Sequence, residues 1–297
     1  MKIAYSTITA TDSDIELGLP ERMNEKLSKI SGKFVVLEDT LFQFEFSNQG
    51  TQIFYDGQLF HPKEYDLLFL GDTLSLYLNR EFVRQGIPVV NPPDAYFFQE
   101  DKIKFLALMQ QHGLPIPKST TVATLSQVRL AIDLISPPYI VKYPRGEGGQ
   151  GVCLAESGRS LLSVMESLWF NHPGQRFLIQ EFVATGEPGE QSRDYRCTVI
   201  GDRIIPITRF STKDFRANWS KGGRCAPATL TPEEEKLVRK CAEVSGLEIM
   251  GVDFLRGKDG NLYLTELNQA PGMIWEQEDI DAQHVDALIT LFKSHST

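Results

Sequence analysis

The glycine-rich segment at residues 146–151, GEGGQG, restricts the possible folds more than any other feature of the sequence. It matches the G-x-G-x-x-G pattern of dinucleotide-binding domains, in which the loop must lead from a strand into a helix. Here the preceding run YIVKYP and the following run VCLAE both have the composition of strands. The segment therefore predicts a flexible loop between two strands, whose glycines let backbone N–H groups approach phosphate oxygens closely. A long hairpin turn without a ligand is the other interpretation of this motif.

The composition argues against several classes of protein. With 297 residues, of which 41% are apolar, the chain can bury a large core divided between two or three lobes. It has no run of about 18 apolar residues and no signal-peptide pattern at its start, so we expect a cytoplasmic protein that does not bind membranes. A net charge of −9 argues against nucleic-acid binding. The four cysteines form no C-x-x-C pair and are predicted to be reduced thiols.

Hydrophobic periodicity divides the chain into three parts. Residues 1–94 alternate strand-like and helix-like runs, with a hairpin turn at Asp56–Gly57, and predict a small α/β domain. Residues 95–183 combine helices, strands and the glycine loop in a central α+β lobe. Residues 184–297 contain two predicted hairpins with a helix between them, and the first hairpin turns at Gly201–Asp202. The fold class predicted is α/β, with α+β lobes after the first domain.

The last predicted hairpin carries an oxygen-rich group of side chains. Glu266 and Asn268 are two residues apart on its second strand, so both project from the same face. The hairpin can place Asp253, in GVDFLR, opposite them. Carboxylates and carboxamides are ligands that Mg²⁺ prefers, although a single carboxylate on a solvated sheet face is common. We predict a metal site at Asp253, Glu266 and Asn268.

Polar side chains near the glycine loop can hold a nucleotide. Lys142 lies in the apolar strand before the loop, where its ammonium can reach phosphates, and Lys102 lies in the helical run QEDKIKFLALM. A lysine that points to solvent is the alternative for either position. The backbone at the end of a further strand can hold an adenine edge, and Glu187 beyond it can accept ribose hydroxyls. That strand ends with Gln180, Glu181, Phe182 and Val183.

Arginines are concentrated between residues 193 and 224. Arg196 and Arg209 alternate with apolar residues on the first hairpin of the C-terminal part, and Arg216 and Asn218 follow in DFRAN. Guanidinium groups bind phosphate or carboxylate in bidentate fashion and can stabilise an oxyanion. Salt bridges at the rim of a sheet are the alternative for each of them.

Taken together and in this order, five motifs resemble the ATP-grasp superfamily, and within it the RimK-like ligases that add glutamate to a ribosomal protein C-terminus. The motifs are IVKYPRGEGGQGV, LIQEFV, RDYRCTVIGDRI, DFRANWSKGGRCAP, and GVDFLR with LTELNQAPG. The resemblance implies an ATP-grasp fold, with an N-terminal α/β domain beside the substrate and two lobes that enclose ATP. It implies an enzyme that phosphorylates a carboxylate, releases ADP and joins the carboxylate to an amine.

The resemblance also implies individual assignments. The metal would be Mg²⁺, or Mn²⁺ in its place, held by Asp253, Glu266 and Asn268. Arg196, Arg209 and Arg216 would be the catalytic arginines. The residues that would bind ATP are Lys102, Lys142, Gly148, Gly149, Gln150, Gly151, Gln180, Glu181, Phe182, Val183, Glu187 and Asn218.

The substrates remain open at this level. A small-molecule or peptide carboxylate and an amine are expected, a protein C-terminus is one such carboxylate, and homo-oligomers are expected from the family alone. The sequence departs from the RimK-like pattern after Glu181 and between Arg203 and Lys213, where the acceptor should bind. Another ATP-grasp ligase, making a dipeptide, a glutathione-like molecule or a macrocyclised peptide, is the main alternative. A non-catalytic nucleotide-binding protein is the second, whereas no Walker or kinase signature supports a kinase of another fold.

Overall fold

The computed structural model describes residues 1–7, 13–70, 76–93, 101–145, 151–186, 192–212, 214–217 and 223–295. Its N-terminal elements are β1 (Lys2–Thr7), α1 (Ser13–Glu16), α2 (Leu19–Ser28), β2 (Lys33–Glu38), β3 (Phe42–Ser47), β4 (Gly50–Tyr55), β5 (Gln58–Leu59), β6 (Leu67–Leu70), α3 (Leu76–Arg84) and β7 (Val89–Val90). Strands β2, β1, β6 and β7 form a parallel sheet in that order. The predicted alternation of strands and helices in this part is confirmed.

Both faces of this parallel sheet are covered, which accounts for its nearly continuous apolar strands. Ile3 and Tyr5 on one face join a core that includes α2, while Ala4 on the other face joins a core that includes Phe82 of α3. Strands β3, β4 and β5 form a separate antiparallel sheet. Asp56 and Gly57 turn between β4 and β5 with φ of 48° and 72°, as the predicted hairpin requires.

The central elements are α4 (Lys102–Gln111), β8 (Ser119–Val122), α5 (Leu125–Leu134), β9 (Tyr139–Lys142), β10 (Cys153–Ala155), α6 (Gly158–Asn171) and β11 (Phe177–Glu181). The strands form an antiparallel sheet in the order β10, β9, β11, β8. Helices α5 and α6 share an apolar core with this sheet. Strands β9 and β10 pair with each other on the two sides of the glycine-rich segment, which confirms the predicted arrangement of two strands joined by a loop.

The C-terminal elements are β12 (Ser192–Ile200), β13 (Arg203–Ser211), β14 (Arg224–Pro227), α7 (Pro232–Ser245), β15 (Ile249–Arg256), β16 (Leu262–Asn268) and α8 (Glu278–Ser294). The strands form one antiparallel sheet in the order β14, β13, β12, β15, β16. Both predicted hairpins are confirmed, and Gly201 turns the first with a φ of 54°. Helix α7 begins with the predicted cap, since Thr231 accepts from the N–H of Glu234.

Packing between these parts positions the functional residues. Helix α4 packs against α7 and β16 and shares the core on one face of the C-terminal sheet. Helix α8 joins the core formed by the other face of that sheet and the N-terminal parallel sheet, where Phe69 and Phe292 have ring centroids 5.4 Å apart. The four cysteines are free thiols, of which Cys197 and Cys241 are buried. Among the described residues, no helix has the length and apolar character needed to cross a bilayer.

Candidate active site

The hairpin of β15 and β16 aligns the predicted metal ligands. Asp253 stands opposite Glu266, and Gly251 stands opposite Asn268. A register irregularity follows Asp253, which lets the strands continue in pairing beyond the polar residues. Asn268 accepts a hydrogen bond of 3.0 Å from the N–H of Ala270 through its Oδ1. The predicted juxtaposition of Asp253 and Glu266 is therefore present in the structure.

Asp253 lies at the centre of a buried ion-pair network. Arg196 stands opposite Asp253 on β12 and binds both its carboxylate oxygens through Nε and Nη2. Arg209 on β13 donates from Nη2 to Asp253 Oδ2 at 2.8 Å and also binds both oxygens of Asp194, at 2.7 and 2.8 Å. Asp253 and Arg209 are each only 3% exposed. Burial by itself raises the pKa of Asp253, but the two guanidinium groups outweigh it and hold the pKa at about 2.

Glu266 has a different partner, on a helix far away in the sequence. Lys102 Nζ lies 2.9 Å from Glu266 Oε1, with both side chains mostly shielded from solvent. Lys102 opens α4, whose first turn is capped by the carboxylate of Asp101. The N–H of Lys102 donates to Pro144 O at 2.8 Å, so α4 begins beside the end of β9. This geometry brings Lys102, the residue with the weakest sequence signal, into contact with a predicted metal ligand.

Lys142 extends the same polar region from the central sheet. Its Nζ donates to Gln180 Oε1 at 2.8 Å, and Gln180 Nε2 donates to Ser119 Oγ at 2.9 Å. Burial lowers the pKa of Lys142 to about 8, Glu266 and Asp253 act in the opposite direction, and Lys102 lowers it further. Lys142 is thus electrostatically coupled to a carboxylate on each strand of the C-terminal hairpin.

The pH dependence of nucleotide binding is expected to follow the protonation of the Lys142 side chain. Because phosphates attract the ammonium form only, the affinity for ATP should be full below the pKa of about 8 and should fall as the pH rises above it. The limiting slope is about tenfold per pH unit. Isothermal titration calorimetry between pH 7 and 9.5 measures this directly. Lys142→Met should bind ATP more weakly and with little dependence on pH, and a wild-type affinity that stays constant across this range would contradict the prediction.

The segment that follows β11 joins the central sheet to the C-terminal sheet. Glu181 Oε1 accepts from the N–H of Lys118 at 2.7 Å, and the N–H of Phe182 donates to Pro138 O at 3.2 Å. Val183 continues in coil and is partly buried. Ala184 O accepts from the N–H of Lys258, in the turn between β15 and β16, at 2.7 Å. The predicted adenine-binding segment therefore lies where the two sheets are connected.

Arg216 connects the C-terminal part to the end of the glycine-rich segment. It binds Asp214 through Nε and Nη2, at 3.0 and 2.8 Å, and donates from Nη1 to Val152 O at 3.3 Å. Gly151 has a φ of 66°, and a Cβ there would collide with the ring of Tyr143, so this position requires glycine. Five predicted residues lie outside the described part of the chain: Gly148, Gly149, Gln150, Glu187 and Asn218.

The oxygen atoms of these side chains fit a magnesium ion whose remaining ligands are nucleotide phosphates and water. Within the described residues, no cluster of three or more His, Cys, Asp or Glu side chains could hold a metal. Magnesium bound to ATP usually takes only one or two protein carboxylates, completed by phosphates and water. Glu266 is partly exposed and forms an ion pair with Lys102. Glu266 and Asn268 would therefore suffice for such a metal, whereas both carboxylate oxygens of the third predicted ligand, Asp253, are bound by Arg196 and Arg209 in this structure.

Two further positioning residues were missed by the sequence analysis. Asp194 stands opposite Arg209, and its place two residues before Arg196 on an apolar strand was the available signal. Asn91 is 1% exposed and donates to Ile249 O and Gln269 O, at 2.6 and 3.0 Å. These bonds connect the N-terminal domain to the first residue of β15 and to the residue that follows β16. No local pattern distinguishes Asn91, because its partners are distant in the sequence.

The sequence of this chain is similar to those of known proteins. The model of the RimK-like ATP-grasp domain matches residues 99–290. A probable alpha-L-glutamate ligase of Citrobacter koseri is 26% identical over 283 residues, which cover 93% of this chain and 92% of that protein. A probable alpha-L-glutamate ligase of Haemophilus influenzae is 34% identical over 213 residues, or 70% of this chain and 68% of the relative.

The solved structures give the same fold. The ATP-grasp ligase PsnB, complexed with a phosphomimetic variant of its minimal precursor, Mg and ADP, superposes with a TM-score of 0.71 at 20% identity and covers 98% of both chains. ATP-grasp ligases use ATP and magnesium. The chain is a carboxylate–amine ligase of the ATP-grasp fold, and it belongs to the RimK-like ATP-grasp family.

Proposed function

We propose that this enzyme joins the α-amine of an amino acid of the glutamate type to a carboxylate at the end of a peptide or protein. The observation that carries the proposal is the meeting of Lys102, Lys142 and Glu266 from three separate elements in one polar region. Two lysines beside a metal-type carboxylate suit a triphosphate. The relatives named probable alpha-L-glutamate ligases support glutamate as the amine.

Activation of the carboxylate explains why ATP is required. A carboxylate does not acylate an amine at neutral pH, because oxide and hydroxide are poor leaving groups. In the proposed reaction, a carboxylate oxygen of the acceptor attacks the γ-phosphorus of ATP, and ADP leaves. The amine nitrogen then attacks the carbonyl carbon of the acyl phosphate, inorganic phosphate leaves, and the nitrogen loses its extra protons to water.

Different residues of this chain have different functions in that reaction. Lys102 and Lys142 bind phosphate oxygens, and Glu266 with Asn268 holds the metal in place. The metal ion, Mg²⁺ or equally Mn²⁺, supplies positive charge that offsets the charge of the phosphates. Arg196 and Arg209 keep Asp253 ionised beside the site. Arg216 donates to the developing oxyanion, which for one such donor is worth about 3 kcal/mol.

The test follows nucleotide and peptide masses together. The enzyme is incubated with MgATP, glutamate and a peptide pool in two matched forms, one with free and one with amidated C-termini. We expect ADP, together with a mass gain of one glutamyl residue on the free peptides alone. MnCl₂ in place of MgCl₂ should support the same product.

Other outcomes separate the alternatives. Loss of one water from a peptide, without glutamate, would identify an intramolecular ligase and overturn the proposed amine. Addition to amidated peptides would overturn the C-terminal acceptor, and AMP in place of ADP would overturn the acyl-phosphate route. Glu266→Gln serves as the inactive control for every reaction.

A further inference from the structure

The small antiparallel sheet of the N-terminal domain has an unpaired outer edge at β3. Among the described residues the sheet order is β3, β4, β5, so β3 has a strand on one side only. In the part of the chain that the structure describes, the opposite side of this strand has one backbone hydrogen bond, from the N–H of Phe42 to Asp39 O in the preceding turn, and no partner strand. Such an edge offers a row of donors and acceptors to any additional strand.

One hydrogen bond shows which groups of β3 face outward. The N–H of Asp56 donates to Leu41 O at 3.1 Å, next to the paired residues Phe42 and Tyr55. In an antiparallel ladder, residues that bond to the partner strand alternate with residues whose N–H and C=O point away. The odd-numbered residues of β3 therefore bond to β4. The outward groups belong to Phe42, Phe44 and Phe46, although the N–H of Phe42 already donates to Asp39 O.

Sequence and exposure leave this edge without the usual protection. Edge strands are normally shortened, covered, or equipped with Lys or Pro. The β3 sequence FQFEFS has six residues and contains neither, and its one charged residue is Glu45. By contrast, β14 includes Arg224 and Pro227, and the edge of β16 is met by Pro115 O, which accepts from the N–H of Leu264 at 2.9 Å. Phe46 is 66% exposed although its ring contacts Tyr77 at a centroid distance of 5.1 Å.

The strand is complementary to itself about a two-fold axis. Phe44 of one copy can stand opposite Phe44 of a second copy. The N–H of each Phe44 then donates to the C=O of the other, and the N–H of each Phe46 donates to the other copy's Phe42 O. This makes four backbone hydrogen bonds, and it places each exposed Phe46 ring beside the second copy's Phe42. On the opposite face, Gln43 stands across from the second copy's Glu45, so no like charges oppose each other.

We propose that two copies of this chain associate through β3, with antiparallel strands related by a two-fold axis at Phe44. The three-stranded sheets of the two copies then form one continuous six-stranded sheet. The closed symmetry explains why exposed aromatic side chains on an edge need not cause open-ended aggregation. This surface lies outside the ligase site, so the inference does not rest on the proposed substrates.

Two opposite substitutions at Gln43 test both the interface and its register. Gln43 is exposed, so neither variant should disturb the monomer. Gln43→Glu places like charges directly opposite at two symmetric positions and should raise the dimer dissociation constant about tenfold. Gln43→Lys creates two opposite-charge pairs with Glu45 and should lower it by a similar factor. Sedimentation equilibrium of the full chain, without nucleotide and at low ionic strength, gives the constants.

A third variant tests the backbone contribution. Phe46→Pro removes an outward N–H while leaving every bond between β3 and β4, so it should abolish the dimer without changing the circular dichroism spectrum. Phe46→Leu, which keeps that N–H, should retain the dimer. A wild-type protein that is monomeric at all concentrations would overturn the proposal. A dimer that responds equally, or not at all, to the two Gln43 substitutions would overturn it as well, because its interface or register must then be different.

Discussion

Replacing Glu266 by glutamine is expected to lower ATP turnover by a factor on the order of a thousand. The substitution keeps the size of the side chain but removes the charge that faces Lys102 at 2.9 Å and that would bind the metal. Because the Glu266 side chain is partly exposed and glutamine has nearly the same shape, the fold should remain intact. Release of ADP under saturating substrates measures the loss, and thermal unfolding checks the fold.

Asp259→Asn is the matched control for this experiment. Asp259 lies in the turn of the same hairpin, where its carboxylate accepts from Tyr263 Oη and Asn261 Nδ2. Its turnover should remain close to that of the wild type. If Glu266→Gln also retained wild-type turnover, the magnesium assignment of Glu266 would be wrong.

Replacing Arg209 by methionine is expected to destabilise the enzyme by about 3–5 kcal/mol. The guanidinium group makes three hydrogen bonds to Asp194 and Asp253, and its removal leaves two buried carboxylates short of a counter-charge. The thermal midpoint should fall by roughly 10 °C for a chain of this size. Thermal unfolding followed by circular dichroism measures the shift, and chemical denaturation gives an independent value.

The control for this prediction is an arginine that is paired at the surface. Arg239 binds Glu235 one helical turn away, with about half of each side chain exposed, so Arg239→Met should cost less than about 1 kcal/mol. A stable Arg209→Met variant that had lost turnover would support a direct catalytic function for Arg209. A large loss of stability would indicate that Arg209 holds Asp253 and Asp194 in place.

Several features of the fold could be predicted because they depend on neighbouring residues. The hairpin turns at Asp56–Gly57 and Gly201–Asp202 and the cap at Thr231 follow from local backbone preferences, and all three are confirmed. The glycine-rich segment was correctly separated from a dinucleotide-binding loop, since the residues after it form β10 and not a helix. The pairing of Asp253 with Glu266 followed from the short connection of one hairpin.

The partners of the charged residues could not be predicted in this way. Lys102 had only a weak signal as a helical lysine, yet α4 packs on the C-terminal sheet and brings it to Glu266. Arg196 and Arg209 were predicted to act on substrate, and the structure shows that both bind Asp253. Their function in catalysis stays a prediction, which the Arg209 variants address.

The local structure of this protein and the family to which it belongs follow from the amino-acid sequence alone. Turns, caps and alternating strands arise from interactions over a few residues, and five motifs in a fixed order identify the ATP-grasp ligases. The contacts between charged residues depend on tertiary packing, because β12 pairs with β15, α4 packs on β16 and Asn91 binds both ends of the hairpin through contacts between distant segments. Such contacts depend on the shape of the whole core, and no local pattern encodes them.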